Sequence, residues 1–210
     1  VFLAFGGIAV ISAPSMAAGC QLTSDYELVQ NQAPGTYLLQ FINTPAECTW
    51  TVPNGVTSLG VAIVGGGGAA GRNNFGGGGG GGQVLYRETL PVSSNESFTV
   101  GVGLGGAINA TDNRPGGNGS ASRFGNFSAT GGGGGGGSSH WVDAYMQSTG
   151  SDGGSGGGNS PWTAGSKTSS VVVRNTYEGW TSFGNPGGMG ITNLPVGQAV
   201  PTGAAAYRAG

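Results

Sequence analysis

The chain has 210 residues, 48 of them glycine and 10 proline, with charged residues at only 8% and a formal net charge of -2. Glycine and proline at roughly 28% together argue for low complexity or disorder, yet the high net charge that accompanies disorder is missing and hydrophobics reach 37%. The composition therefore describes one ordered domain with a modest apolar core. Lacking a basic patch or a long run of either charge, it argues against nucleic-acid binding and against electrostatic recruitment to membranes.

Residues 1–12 (VFLAFGGIAVIS) are apolar but too few to span a bilayer as a helix, which needs about 20. Small residues follow at Ser15 and Ala17, so residues 1–17 read as a signal peptide cut after Ala17 or Ala18, with no membrane insertion once it is removed. The chain starts at Val1 with no initiating Met and no basic n-region, as in a clipped N-terminus. A buried N-terminal strand is the alternative.

Cys20 and Cys48 are the only cysteines. After an export signal two cysteines most simply form one disulfide, closing a loop worth roughly 3 kcal/mol of chain entropy. Lipidation of Cys20 is the rival, because Ala17-Ala18-Gly19-Cys20 approximates a lipobox without its usual leucine.

Period-two alternation predicts strands at Tyr26 and Leu28, at Tyr37, Leu39 and Phe41, at Thr49 to Val52, and at Ser58 to Val64. It continues at Gln83 to Leu90, Glu96 to Val102 and Asn126 to Thr130, with a short strand at Val171 to Val173. No stretch shows a helical period, so almost no α-helix is expected. The strand at Ser58 empties into Gly65 to Gly68 and Gly76 to Gly82, answered by Gly131 to Gly137. A bare glycine tract is ordinarily a flexible linker, but these tracts lie between strands inside the domain. The ordered alternative is a polyproline-II-like helix with three residues per turn, several of which pack side by side when no side chains intervene.

Cys48 to Ser58 (CTWTVPNGVTS), Val61 to Gly68, Phe98 to Gly103 (FTVGVG) and Phe124 to Gly133 (FGNFSATGGG) together resemble the glycine-rich domain of exported bacterial, especially actinobacterial, surface proteins. The resemblance covers roughly residues 20 to 137. It implies a small antiparallel β-sandwich, jelly-roll-like, that feeds packed polyglycine-II helices, and it brings no catalytic residues. Polyglycine cores of a similar kind occur in phage tail-fibre adhesins and in the extracellular region of anaplastic lymphoma kinase. The expected organisation is thus all-β: signal peptide 1–17, glycine-rich β-sandwich domain 18–137, and a glycine-rich continuation 138–210 that ends without a stop-like sequence, as a truncated chain would.

The continuation sets aromatic residues between glycine runs: His140, Trp141, Tyr145, Trp162, Tyr177 and Trp180. Aromatics in rigid loops offer large contact area for little entropy, so these six are the candidate contacts to a cell-surface glycan or protein ligand. The alternative for some of them is to cover the sandwich edge.

Other motifs carry little chemistry. Gly101 to Gly106 satisfies G-x-G-x-x-G after a strand, but no helix follows to hold a phosphate. Ser139, His140 and Asp143 crowd the residue types of a triad into one polar loop instead of bringing them from separate segments. One His and two Cys fall short of a zinc site, and Asp112-Asn113 and Ser151 to Gly154 lack calcium-loop spacing. Sequons at Asn95, Asn109, Asn118 and Asn126 are near chance number. The sequence thus predicts no catalytic, cofactor or metal site, and a secreted or cell-surface module that is structural or adhesive. The alternative is a receptor-binding tip like those of phage fibres.

Overall fold

The computed structural model describes residues 2–6, 19–20, 26–29, 36–42, 47–72, 76–111, 114–137, 149–160 and 172–185. Within them ten strands form and no α-helix: β1 (Phe2–Gly6), β2 (Tyr26–Val29), β3 (Thr36–Phe41), β4 (Cys48–Thr51), β5 (Ser58–Val64), β6 (Val84–Pro91), β7 (Ser97–Gly101), β8 (Ser122–Phe124), β9 (Phe127–Ala129) and β10 (Thr181–Phe183). A six-stranded sheet runs β10-β6-β5-β1-β3-β2 and a four-stranded sheet β4-β7-β8-β9. Every pairing in both is antiparallel. The two sheets make a small β-sandwich.

Each sheet turns one face inward because its strands alternate. In β5, Leu59, Val61 and Ile63 are buried while Ser58, Gly60 and Ala62 between them are less so. That is the two-residue repeat of a strand with one wet face. Leu39 and Phe41 from β3, Leu85 and Leu90 from β6, Val100 from β7 and Phe124 from β8 complete the core with Val52 and Val56. Trp50 of β4 sits at the middle, wholly buried. Its ring meets Phe41 edge-on at 6.4 Å and Phe124 at 6.3 Å, spacings at which aromatic pairs gain beyond area burial.

The strand expectations hold from β2 to β7 and at β9. Four segments differ. Val171 to Val173 is not a strand where described: Val172 makes an isolated parallel bridge to Gly153, because Val173 N–H is taken by the Gly153 carbonyl of a glycine run. The three-residue strands β8 and β10 are too short to show a period, and β10 exists only through pairing with the edge of β6. Phe2–Gly6, inside the segment read as an export signal, stands as a strand between β5 and β3, the alternative weighed for that segment.

Cys20 and Cys48 are joined by a disulfide with Cα atoms 4.9 Å apart, so the disulfide reading holds over the lipidation reading. The bridge anchors the entering chain to β4, where Cys20 N–H also donates to the Thr49 carbonyl.

Candidate functional site

The glycine tracts are packed, and the residues that pack them show why the sequence is glycine here. Run 131–137 is buried throughout. Its carbonyls repeat by threes: Gly131 and Gly134 accept from Gly154 and Ser151, Gly132 and Gly135 from Gly119 and Gly116, and Gly133 and Gly136 from Gly80 and Gly77. Its amides repeat the same way, Gly132 and Gly135 donating to Gly66 and Ala69, and Gly133 and Gly136 to Ser155 and Gly158. All ten bonds measure 2.7 to 2.9 Å. A three-residue repeat is the turn of the polyproline-II helix, whose backbone groups all point outward. The expected polyglycine-II packing is therefore what satisfies this buried backbone.

Five runs surround the central one among the described residues: 65–71, 76–82, 155–160, 150–154 and 114–120. Successive runs in that circuit also bond one another, as in Gly68 to Gly80, Gly158 to Gly78, Gly157 to Ser151 and Ala69 to Gly117. Only the position between 150–154 and 114–120 lacks a described run. There Gly134 N–H donates to the side-chain oxygen of Asn118 at 2.8 Å, a side chain standing in for a neighbour's carbonyl. Helices this close leave no room for Cβ: one on Gly79 would fall on the Gly68 carbonyl, and one on Gly135 on that of Gly77.

Gln83 joins bundle to sandwich. Wholly buried, it accepts at Oε1 from Thr130 N–H (2.9 Å) and Asn175 N–H (3.1 Å). Its Nε2 donates to the Asn175 carbonyl at 2.6 Å and to Ser182 Oγ at 2.8 Å. The side-chain amide thus ties the foot of run 76–82 to β9 and to the chain leading into β10.

At the sandwich edge lies a groove of about 560 Å³, where β7 extends past β8 and the β8–β9 turn folds over it. Phe98 and Phe127 give it two rings, Ser97, Thr99 and Asn126 polar groups, and Glu47, Glu96 and Arg123 charges. Phe98 is fixed by stacking on Phe124 at 4.5 Å and 16°. The turn closes because Gly125 adopts φ +55, where a Cβ would be strained and would also stand 3.0 Å from the Phe98 ring. Phe127 is braced from behind by Trp180 at 4.5 Å and Tyr177 at 5.2 Å. Arg123 Nη1 reaches Glu47 Oε1 at 3.3 Å, with both side chains half exposed.

Of the six aromatic contact candidates, His140, Trp141, Tyr145 and Trp162 lie outside the described residues, as do Ser139 and Asp143. Tyr177 and Trp180 are not free loop tips. Both are partly buried against the core, and Tyr177 Oη accepts from Ser128 N–H at 3.0 Å. The groove was invisible in the sequence because Glu47, Phe98, Arg123 and Phe127 come from four separate segments. Its one local signal was Phe124-Gly125-Asn126-Phe127, a Gly-Asn turn between aromatics.

The dinucleotide-like Gly101 to Gly106 runs into the bundle. Gly103 N–H donates to Ser122 Oγ and Gly106 N–H to the Gly67 carbonyl, so these amides serve packing and do not form a phosphate cradle. Among the described residues, three or more His, Cys, Asp or Glu side chains nowhere converge, and no helix is long and apolar enough to cross a membrane.

No curated protein and no solved structure matches this chain. A family model described as a glycine-rich domain matches residues 43–210, which takes in β4 to β10 and the glycine runs but not β1 to β3. The chain belongs to that glycine-rich domain family.

Proposed function

We propose that this protein is an exported, non-enzymatic surface module in which a disulfide-stapled sandwich carries a rigid glycine bundle as spacer or adhesive platform. The observation that supports this most is the central run 131–137, whose backbone is bonded on five sides within the chain. Such a body has little conformational freedom left to lose and holds whatever it carries in fixed geometry. The Cys20–Cys48 disulfide fits an oxidising compartment. The loops between glycine runs supply the adhesive contacts, with Trp141 and Trp162 foremost.

The test is to express the chain with its own N-terminal segment and follow exposure to external protease, together with adhesion to cells or immobilised glycans. The reading expects external cleavage, and adhesion lost in the Trp141→Ala, Trp162→Ala double variant at nearly unchanged thermal stability. Retention inside the cell would sink export. Unchanged adhesion in a folded double variant would remove the loop contacts.

A further inference from the structure

We propose that the edge groove between β7 and the β8–β9 turn binds a neutral saccharide. The inference deepens the adhesive part of the reading above, and its chemistry stands on the groove alone.

Its volume, about 560 Å³, falls within the range of small-ligand sites, roughly 300 to 1,000 Å³, and suits one to three pyranose units. Its lining combines two chemistries. Phe98 and Phe127 line it with aromatic rings, and the negative quadrupole of an aromatic face attracts the weakly positive C–H groups on the flat side of a pyranose ring. Both rings are held before any ligand arrives, Phe98 by Phe124 and Phe127 by Tyr177 and Trp180. A braced ring loses little entropy on binding.

Around the rings stand groups that pair with hydroxyls. Thr99 and Ser97 can donate and accept, and Asn126 offers an amide. The Glu47–Arg123 pair engages one oxygen and one nitrogen, leaving the second Glu47 oxygen to accept from a hydroxyl and further guanidinium N–H groups to donate to one. Glu96 Oε2 is held by Ser93 N–H at 2.8 Å, which fixes that carboxylate while its other oxygen remains an acceptor. Two carboxylates against one guanidinium disfavour phosphates and acidic sugars. The polar rim disfavours a purely apolar ligand, which would leave those groups desolvated without partners.

Two of the six contact aromatics thereby gain a different role. Tyr177 and Trp180 act as positioning residues behind the ring that touches the sugar.

The test titrates the whole soluble protein with cellotriose, read by calorimetry and by amide chemical shifts. Saturable binding is expected, with shifts clustered at residues 96–99 and 123–127. Phe127→Ala should weaken it by about tenfold or more, and Phe127→Tyr, which keeps the ring, should largely restore it. Because Phe127→Ala also loosens Trp180, a second variant guards the reading. Thr99→Arg, at an exposed strand position, fills the groove without touching the core and should abolish binding in a protein that melts like the parent. No saturable binding of cellotriose, chitotriose or maltotriose up to about 10 mM would overturn the proposal, as would binding that Thr99→Arg leaves intact. Loss of adhesion in the loop variants with a silent titration would remove the groove alone. Binding by a protein that is never exported would remove the surface reading and leave the groove.

Discussion

Gly79→Ala and Gly81→Ala, two substitutions in one glycine run, should move stability in opposite directions. Neither glycine has a positive φ among those that do, so the backbone accepts alanine at both and only space decides. At Gly79 the new methyl falls on the carbonyl of Gly68 in run 65–71. Relieving it means parting two helices that Gly68 N–H to Gly80 and Gly71 N–H to Gly77 hold at 2.8 and 2.9 Å. Overpacking costs about 1–3 kcal/mol, and weakening two buried bonds adds about 1–2. The lower unfolded-state entropy of alanine returns about 0.4–1. The net loss is about 1–5 kcal/mol, or about 2–20 °C in Tm for a chain of this size. At Gly81 the nearest atom to a Cβ is Ser155 Oγ at 3.9 Å, an ordinary contact, so alanine should be neutral or stabilise by up to about 1 kcal/mol. Thermal and urea unfolding of both variants beside the parent read this directly. Equal, small effects at the two positions would refute the packed bundle.

Other outcomes follow from the same geometry. Replacing Cys20 and Cys48 by serine should cost roughly 3 kcal/mol, seen as a lower urea midpoint; an unchanged midpoint would deny the staple any role. Gln83→Ala deprives the Thr130 and Asn175 amides of their acceptor and should cost about 2–4 kcal/mol, with the β10 amides losing protection first. Asn118→Ala leaves Gly134 N–H without its acceptor and should cost about 1–2 kcal/mol, whereas Asn118→Asp keeps an oxygen there and should sit near the parent. If both Asn118 variants melt alike, the side chain does not substitute for a sixth helix.

Much of this fold is written locally. Alternation at Leu59, Val61 and Ile63 marks a half-buried strand because a strand's faces are its odd and even residues, and that fact needs no partner. The glycine runs told that helices without side chains could pack. They did not tell which run is central, because 76–82 and 131–137 are equally bare and only the circuit of neighbours distinguishes them. Gln83 reads as an ordinary polar residue at a strand entry. Its burial depends on Asn175 and Ser182, each more than 90 residues away. Trp180 and Tyr177 look like loop tips because their neighbours are Glu178 and Gly179, yet Phe127 across the fold draws them inward. The segment at Phe2–Gly6 is apolar in a way that suits both an export signal and a strand, so composition alone could not separate them.

The central claim is that run 131–137 is the ordered axis of a glycine bundle, and amide hydrogen exchange of that run tests it most directly. The account predicts slow exchange at Gly132, Gly133, Gly135 and Gly136, whose N–H groups donate to Gly66, Ser155, Ala69 and Gly158, at a level comparable with the β5 and β6 amides of the sandwich core. Exchange across 131–137 at the rate of an unstructured glycine peptide, in a protein whose sandwich amides stay protected, would contradict it.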